Sequence, residues 1–327
     1  MKILLLGTGG TISCLPGEQG LAPAFAAQEL LQYLSIDVSD IDSRDLFALD
    51  SSNIQPEEWK IMAGAVRQGV EEGYGAIVIT HGTDTLAYTA SMLSFILQGV
   101  PVPVVLTGSQ YPIAYPDSDA KSNLANAIIS ARALPGGVYV CFGDRIILGS
   151  RSVKVRSMSL NAFESINFPN IGTIAQGRYI PLNSPPAQKE FCFDDCIEPN
   201  IALIKLVPGT SPALFGVLPQ CGCKGVVVEA FGLGGVHNFR RNHIEAIEGL
   251  LKRNVPVVLT TQCLYEYSNP GVYEVSHALT RAGVISAKDM TTEAAVTKLM
   301  WVMGKHSDLD SIREKMQTDL CGEITEA

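Results

Sequence analysis

The sequence contains no C-x-x-C pair, no run of Lys and Arg, no repeat of fixed period and no low-complexity tract. Each absence removes a class of protein. With 24 Lys and Arg against 33 Asp and Glu, for a net charge of −9, nothing in the chain suggests the cationic face that nucleic-acid phosphates require. The partner expected is a small molecule or another copy of the chain. Eight cysteines are spread over 327 residues, and the close pairs, Cys192 with Cys196 and Cys221 with Cys223, have no histidine within zinc-ligand range in sequence. Neither a disulfide framework nor a metal site is expected, and the thiols read as reduced and mostly buried. After Met1 and Lys2 the chain passes through four apolar residues to Gly7, far short of the apolar stretch of a signal peptide or a membrane span. A cytoplasmic protein is expected.

What the chain does have is apolar substance. Hydrophobic residues make up 46% of it, at a length where single cores stop growing, so two domains are expected. Apolar runs typical of buried strands recur at 2–7, 76–80, 102–106, 137–142, 201–206, 225–231 and 255–261. Between several of them, apolar residues spaced by three or four predict helices over 56–72, 85–98, 118–133, 238–252 and 291–304. Strand alternating with helix predicts an α/β fold with a mostly parallel sheet flanked by helices on both faces. In such sheets ligands bind beyond the carboxyl ends of the strands. The stretch 178–200 holds four prolines and no helical periodicity, as an inter-domain linker would. The expected division is a larger N-terminal α/β domain over 1–185, a linker over 186–200 and a smaller C-terminal α/β domain over 201–327.

Two post-strand loops carry the reactive side chains. The first, GTGGTIS at 7–13, has glycines suggestive of a dinucleotide fingerprint, but the third glycine position is Ile12, and Pro16, Gly17, Gly20 and Pro23 follow where a phosphate-binding helix should start. The glycines instead permit a turn tight enough to expose Thr11 at a strand end, with neighbouring amides free to stabilise an anion. The second, ITHGTDTLAY at 79–88, packs His81, Gly82, Thr83, Asp84 and Thr85 ahead of a helix beginning near Leu86. Asp84 or Thr85 would serve as an N-cap, which leaves the others unexplained. A threonine hydroxyl is too weakly acidic to attack an amide unaided, so a base is needed. His81 is the histidine within a candidate site. Lys154, in GSRSVKVRS at 149–157, is the alternative, on an alternating stretch where Ser152, Lys154 and Arg156 share one face; a lysine becomes a base near neutral pH when burial or a charge partner tunes it. The residues alone leave both open.

Taken together, GTGGTIS (7–13), DSSNIQPEEW (50–59), ITHGTDTLAYTA (79–90), VVLTGSQYPI (104–113), the Lys154 segment with LNAFESINFPNIG (160–172), and AGVISAKDMTTEAAVTKLMW (282–301) resemble the bacterial-type L-asparaginases, in their cytoplasmic branch. The resemblance spans nearly the whole chain. It implies a two-domain α/β homodimer or homotetramer that hydrolyses L-asparagine to aspartate and ammonia with no metal or organic cofactor. By position, Thr11 resembles the threonine that attacks the amide carbon; Thr83 resembles a second threonine linked to Lys154; Asp84 resembles the carboxylate that holds the lysine and receives the substrate's ammonium. Ser51, with Ser52 beside it, resembles the contact to the α-carboxylate, and Gly82 belongs to the same binding loop. Tyr273 lies where relatives reach across a subunit interface. One departure stands out: many relatives have a tyrosine after a glycine in the loop beyond the first threonine, and here Gly20 is followed by Leu21, the nearest aromatic being Phe25. Val153 replaces a hydroxyl residue of a relative regulated by asparagine, which implies weakened regulation. The ammonia-producing subunit of a tRNA-dependent amidotransferase shares these motifs, usually behind an extra N-terminal domain, and a non-catalytic asparagine-binding module is the third reading.

Overall fold

The computed structural model describes residues 1–17, 20–271 and 274–325. The chain divides into two compact units, Met1–Asp195 and Cys196–Ala327.

The first unit is built on strands β1 (Ile3–Gly9), β2 (Ile41–Leu49), β3 (Ala76–Thr80), β4 (Pro103–Thr107), β5 (Gly137–Phe142), β6 (Arg145–Leu148), β7 (Gly172–Ala175) and β8 (Arg178–Pro181). They form one eight-stranded sheet in the order β8-β7-β6-β5-β4-β3-β1-β2. From β2 to β5 every neighbour pair is parallel, and β6, β7 and β8 extend the sheet as an antiparallel meander. Alternation of side chains along the parallel strands supplies two apolar faces. Ile3, Leu5, Val78, Val105 and Tyr139 share a core with helices α1 (Ala27–Leu31) and α4 (Ala120–Ala131). Leu4 and Ile77 point the other way, toward α2 (Pro56–Glu71), where Gly69 has no Cβ and lets the helix sit directly on those two side chains. Helix α3 (Leu86–Ile96) packs on that face as well and is buried along nearly its whole length.

Residues 178–181, at the start of the proline-bearing stretch and inside the N-terminal domain expected over 1–185, form the edge strand β8, pairing residue for residue with β7. Within 186–200, Cys192–Phe193 pair with Leu97–Gln98, and Gln188 donates to the carbonyls of Gly99 and Val100. Proline at a sheet edge costs no ladder hydrogen bond, which is why composition alone reads such a stretch as irregular.

The second unit has a four-stranded parallel sheet of β9 (Ile201–Lys205), β10 (Gly225–Ala230), β11 (Val257–Thr261) and β12 (Ile285–Ser286), in that order. Its helices are α5 (Ala213–Val217), α6 (His243–Leu251), α7 (Glu274–Ala282), α8 (Thr292–Met303) and α9 (Leu309–Gln317). The helix expected from 238 starts at His243 because Asn242 accepts from the Ile244 amide and caps it there. Lys298 of α8 is wholly buried and ion-pairs with Glu323 at 2.5 Å, while its remaining donors meet the carbonyls of Met316 and Thr318. Such a pair costs desolvation, and these added hydrogen bonds offset it.

All eight cysteines are free thiols; only Cys14 and Cys141 are buried, and Cys192, Cys196, Cys221 and Cys263 are exposed. The expectation of mostly buried thiols is therefore corrected: these four lie outside the apolar runs that form the buried strands. Among the described residues, no helix is long and apolar enough to cross a membrane and no cluster of His, Cys, Asp and Glu could hold a metal.

Candidate active site

The site sits at the carboxyl ends of β1, β2, β3 and β4, where the parallel sheet leaves four loops side by side. Beyond β1 the chain turns through Gly9 and Gly10, both at positive φ (93° and 75°), into a short 3₁₀ turn, Thr11–Ser13. Neither glycine tolerates a side chain. A Cβ on Gly9 would run into the backbone of Leu49, and one on Gly10 into the backbone of Gly82. A Cβ on Gly82 would in turn stand 2.6 Å from Ser51 Oγ. The first three loops are thus stacked backbone on backbone, and the residues that follow Gly10 and Gly82 in the chain are Thr11 and Thr83. Thr11 is half-buried, and its hydroxyl makes no hydrogen bond with any described residue.

Lys154 arrives from a different element. After β6 a 3₁₀ turn, Gly149–Arg151, leads into the strand Ser152–Lys154, which pairs antiparallel with Phe163–Ser165. The alternation expected there does not sort buried from exposed, since Arg151, Ser152 and Val153 are all buried. The lysine amine donates to Thr83 Oγ1 at 2.8 Å and to Asp84 Oδ1 at 2.6 Å. Its side chain keeps 17% of its surface exposed against 63% for Asp84. Half of the pair is thus wet, so its value lies in placing the amine and less in stability.

The β2 loop closes the arrangement. Ser51 is buried, its Oγ accepts from the Asp84 amide at 3.2 Å, and its carbonyl accepts from Thr85 Oγ1 at 2.7 Å. Thr85 stands at the N-cap position of α3, yet its hydroxyl goes to Ser51 and makes no capping bond. Neither Asp84 nor Thr85 caps the helix with its side chain; both tie loops together instead. Ser52 is exposed, and its amide and hydroxyl both donate to Asp50 Oδ1, at 2.8 and 2.6 Å, hydrogen bonds that hold the Asp50 carboxyl below its usual range. Tyr273 lies outside the described residues.

His81 is taken up by structure. It is completely buried, with Nδ1 2.7 Å from the Gly82 carbonyl and Nε2 3.0 Å from Thr89 Oγ1. A carbonyl only accepts, so Nδ1 carries the proton and Nε2 accepts from the Thr89 hydroxyl. That hydroxyl accepts from Trp59 Nε1 at 3.0 Å, and the chain of donors runs in one direction from α2 to the Gly82 loop. Burial pushes the imidazole down to about 4, against a smaller opposing effect of the Gly82 carbonyl. A neutral ring with both nitrogens engaged holds the loop in place and is not available as the base.

Sequence reasoning gave no role to Trp59, Thr89, Gln110, Asp119 or Asn123. The loop beyond β4 is organised by buried Asp119, which accepts from the amides of Gln110 and Tyr111, with Asn123 bridging Asp119, the Gly108 carbonyl and the Gly143 amide. Gln110 reaches from this loop to Thr83 Oγ1 at 3.4 Å. A buried Asp just ahead of an Asn-bearing helix is a loop signature that periodicity does not display.

Leu21 stands in a hairpin of Cys14–Gly17 with Gly20–Pro23, opposite Pro16 and half exposed. Its described residues include no hydroxyl. Phe25 packs edge-on against Tyr33 at 5.6 Å. A cleft of about 340 Å³ lies behind the first loop, lined by Ser13, Phe25, Asp45, Phe47 and Thr80 among others, but not by Thr83, Asp84 or Lys154. The Thr83, Asp84 and Lys154 cluster lies outside that cleft.

Residues 2–187 match the family model "Asparaginase, N-terminal" and residues 200–316 the model "Glutaminase/Asparaginase C-terminal domain". The chain belongs to the asparaginase family of amidohydrolases. An L-asparaginase of Thermococcus kodakarensis is 45% identical over 99% of both chains, and the structure of the thermostable L-asparaginase from that organism superposes with a TM-score of 0.95 over the full length of both. L-asparaginase I from Vibrio cholerae follows at 30% identity and a TM-score of 0.86, covering 99% of each chain. A glutamyl-tRNA(Gln) amidotransferase component of Pyrococcus abyssi is 37% identical over 99% of this chain and 77% of its own length. The asparaginase fold expected from the sequence is the fold observed.

Proposed function

We propose that this family member is an L-asparaginase that hydrolyses L-asparagine to L-aspartate and ammonia. The observation that carries the reading is the Lys154 amine, held at 2.8 Å from Thr83 Oγ1 and 2.6 Å from Asp84, in a loop cluster that also presents a threonine with an unengaged hydroxyl. The Thermococcus kodakarensis relative supports the substrate, because its similarity runs the length of both chains.

In this reading Thr11 Oγ1 attacks the side-chain amide carbon, a C–O bond forms, and the carbonyl pair moves onto oxygen, stabilised by nearby amides. The hydroxyl proton passes to the base system of Lys154 and Thr83. The tetrahedral adduct collapses with cleavage of the C–N bond, the leaving nitrogen takes that proton, and ammonia departs from an aspartyl ester on Thr11. Water, deprotonated by the same groups, then cleaves the ester and restores the threonine. Asp84 holds Lys154 in reach and carries the charge that complements the substrate's ammonium; Ser51, with Ser52 and Gly82 beside it, receives the α-carboxylate. No cofactor enters these steps. The same reading places the enzyme in the cytoplasm as a homodimer or homotetramer, to which Tyr273 would contribute near the partner subunit.

A second reading has a specific observation behind it, the amidotransferase relative at 37% identity: release of ammonia from glutamine for use by a partner protein. Ammonia release by the purified protein from L-asparagine and L-glutamine separates the two. Faster turnover of asparagine supports the asparaginase; turnover of glutamine alone supports the ammonia-producing component; silence on both contradicts each of them and leaves a binding module.

A further inference from the structure

Gln110 spans two loops that carry the proposed base system, and its amide can lie in only one orientation. Its Nε2 lies 3.2 Å from the Ser159 carbonyl, which accepts and never donates, so the other end, Oε1, faces Thr83 Oγ1 at 3.4 Å. Thr83 Oγ1 already accepts from the Lys154 amine. The Thr83 proton therefore points at Gln110, along a contact long for an O–H···O bond and so easily given up. The backbone under Gln110 is fixed independently, because its amide and that of Tyr111 both donate to buried Asp119.

We propose that Gln110 is a positioning residue that parks the Thr83 proton away from Lys154 until the lysine gives up its own. The proposal rests on the reading of Lys154 and Thr83 as the base system. With Lys154 protonated, Lys154 donates to Thr83 and Thr83 donates to Gln110. When Lys154 loses a proton, the Thr83 hydroxyl swings from Gln110 to the free amine pair, and the same hydroxyl can then be drawn on by Thr11 or by water. The Gln110 oxygen stabilises the first arrangement and loses its donor in the second, so it biases the site toward the first. Among the described residues, Lys154 is paired with Asp84, Arg156 and Glu164 are paired to each other at 2.8 Å on its own hairpin, and Asp119 stands behind Gln110.

The test compares Gln110→Leu and Gln110→Glu with the unsubstituted enzyme by kcat and KM for ammonia release from L-asparagine across pH, with thermal melts as a check of folding. Loss of the acceptor moves the acid limb of the kcat profile to lower pH by about half a unit, and the added carboxylate moves it to higher pH by at least as much. KM stays within about twofold, because Gln110 acts through Thr83 and not on the substrate. Opposite displacements of the limb are what a merely structural role would not produce. Unmoved limbs in both variants, or a uniform drop in kcat at every pH, would overturn the proposal. Should the leucine variant fail to fold, the near-isosteric glutamate variant decides alone, and the absence of an alkaline shift overturns it. An unsubstituted enzyme silent on both asparagine and glutamine would instead overturn the catalytic reading, and the proposal with it.

Discussion

Gly10 and Gly82 meet with no side chain between them, and a Cβ on Gly10 has nowhere to go but into the backbone of Gly82. That contact brings the Thr11 loop and the Thr83 loop together, so it links the fold to the chemistry. Gly10 also holds φ at 75°, a conformation that L side chains rarely adopt. Gly10→Ala is expected to cost about 1–3 kcal/mol through strain and overpacking and to lower kcat more than a substitution of equal thermal cost elsewhere. A chemical melt run beside the ammonia assay checks both; full activity in the variant would show that the loops need no such approach.

Ser51 Oγ receives the Asp84 amide, so removing it disturbs the loop as well as the proposed carboxylate contact. Ser51→Ala should raise KM for asparagine and cost about 1 kcal/mol of stability, the usual consequence of a lost buried acceptor. An unchanged KM would move the carboxylate site away from this serine.

Asp84→Asn removes the charge that holds the Lys154 amine. Turnover is expected to fall on the order of 100-fold or more, in the range that mispositioned acid–base groups produce, with KM rising if the same carboxylate meets the substrate's ammonium, as proposed. Steady-state kinetics on the two amides measures this, and a variant with wild-type kcat would contradict the role given to Asp84.

His81 makes a prediction about stability and pH. Its folded value, about 4, lies below the ordinary 6.5, so between those values the unfolded chain binds a proton that the folded chain refuses. Stability contributed by the neutral ring is complete above pH 6.5 and is lost as pH falls toward 4, amounting to about 3 kcal/mol at the lower end. His81→Gln should flatten the dependence of melting temperature on pH across that window. Parallel curves for the two proteins would mean that the ring already tolerates its charge.

Much of the fold was legible because the parallel strands are buried on both faces and read as unbroken apolar runs. The edge strand Ile41–Leu49 was not, since only Ile41 of its nine residues is buried and its sequence, IDSRDLFAL, mixes charge with apolar residues. That omission matters, because Ser51 owes its place to this strand. The antiparallel meander of β6, β7 and β8 was hidden for a related reason: its outermost strand is exposed and contains a proline. In the site, the motifs named Thr11, Thr83, Asp84 and Lys154, and the structure joins Lys154 directly to Thr83 and Asp84. The residues alone leave His81 and Lys154 open and the resemblance assigns Lys154; the hydrogen bonds that engage both nitrogens of His81 join residues far apart in sequence, Trp59 to Thr89 to His81 among them. No local pattern encodes these.

In the proposed mechanism Thr11, rather than Thr83, forms the covalent intermediate. Rapid acid quench of the enzyme turning over L-asparagine, followed by peptide mapping of the trapped ester, locates it directly. An aspartyl adduct on the peptide containing Thr11, lost in Thr11→Ala, is the predicted result; an adduct on Thr83 would contradict the assignment.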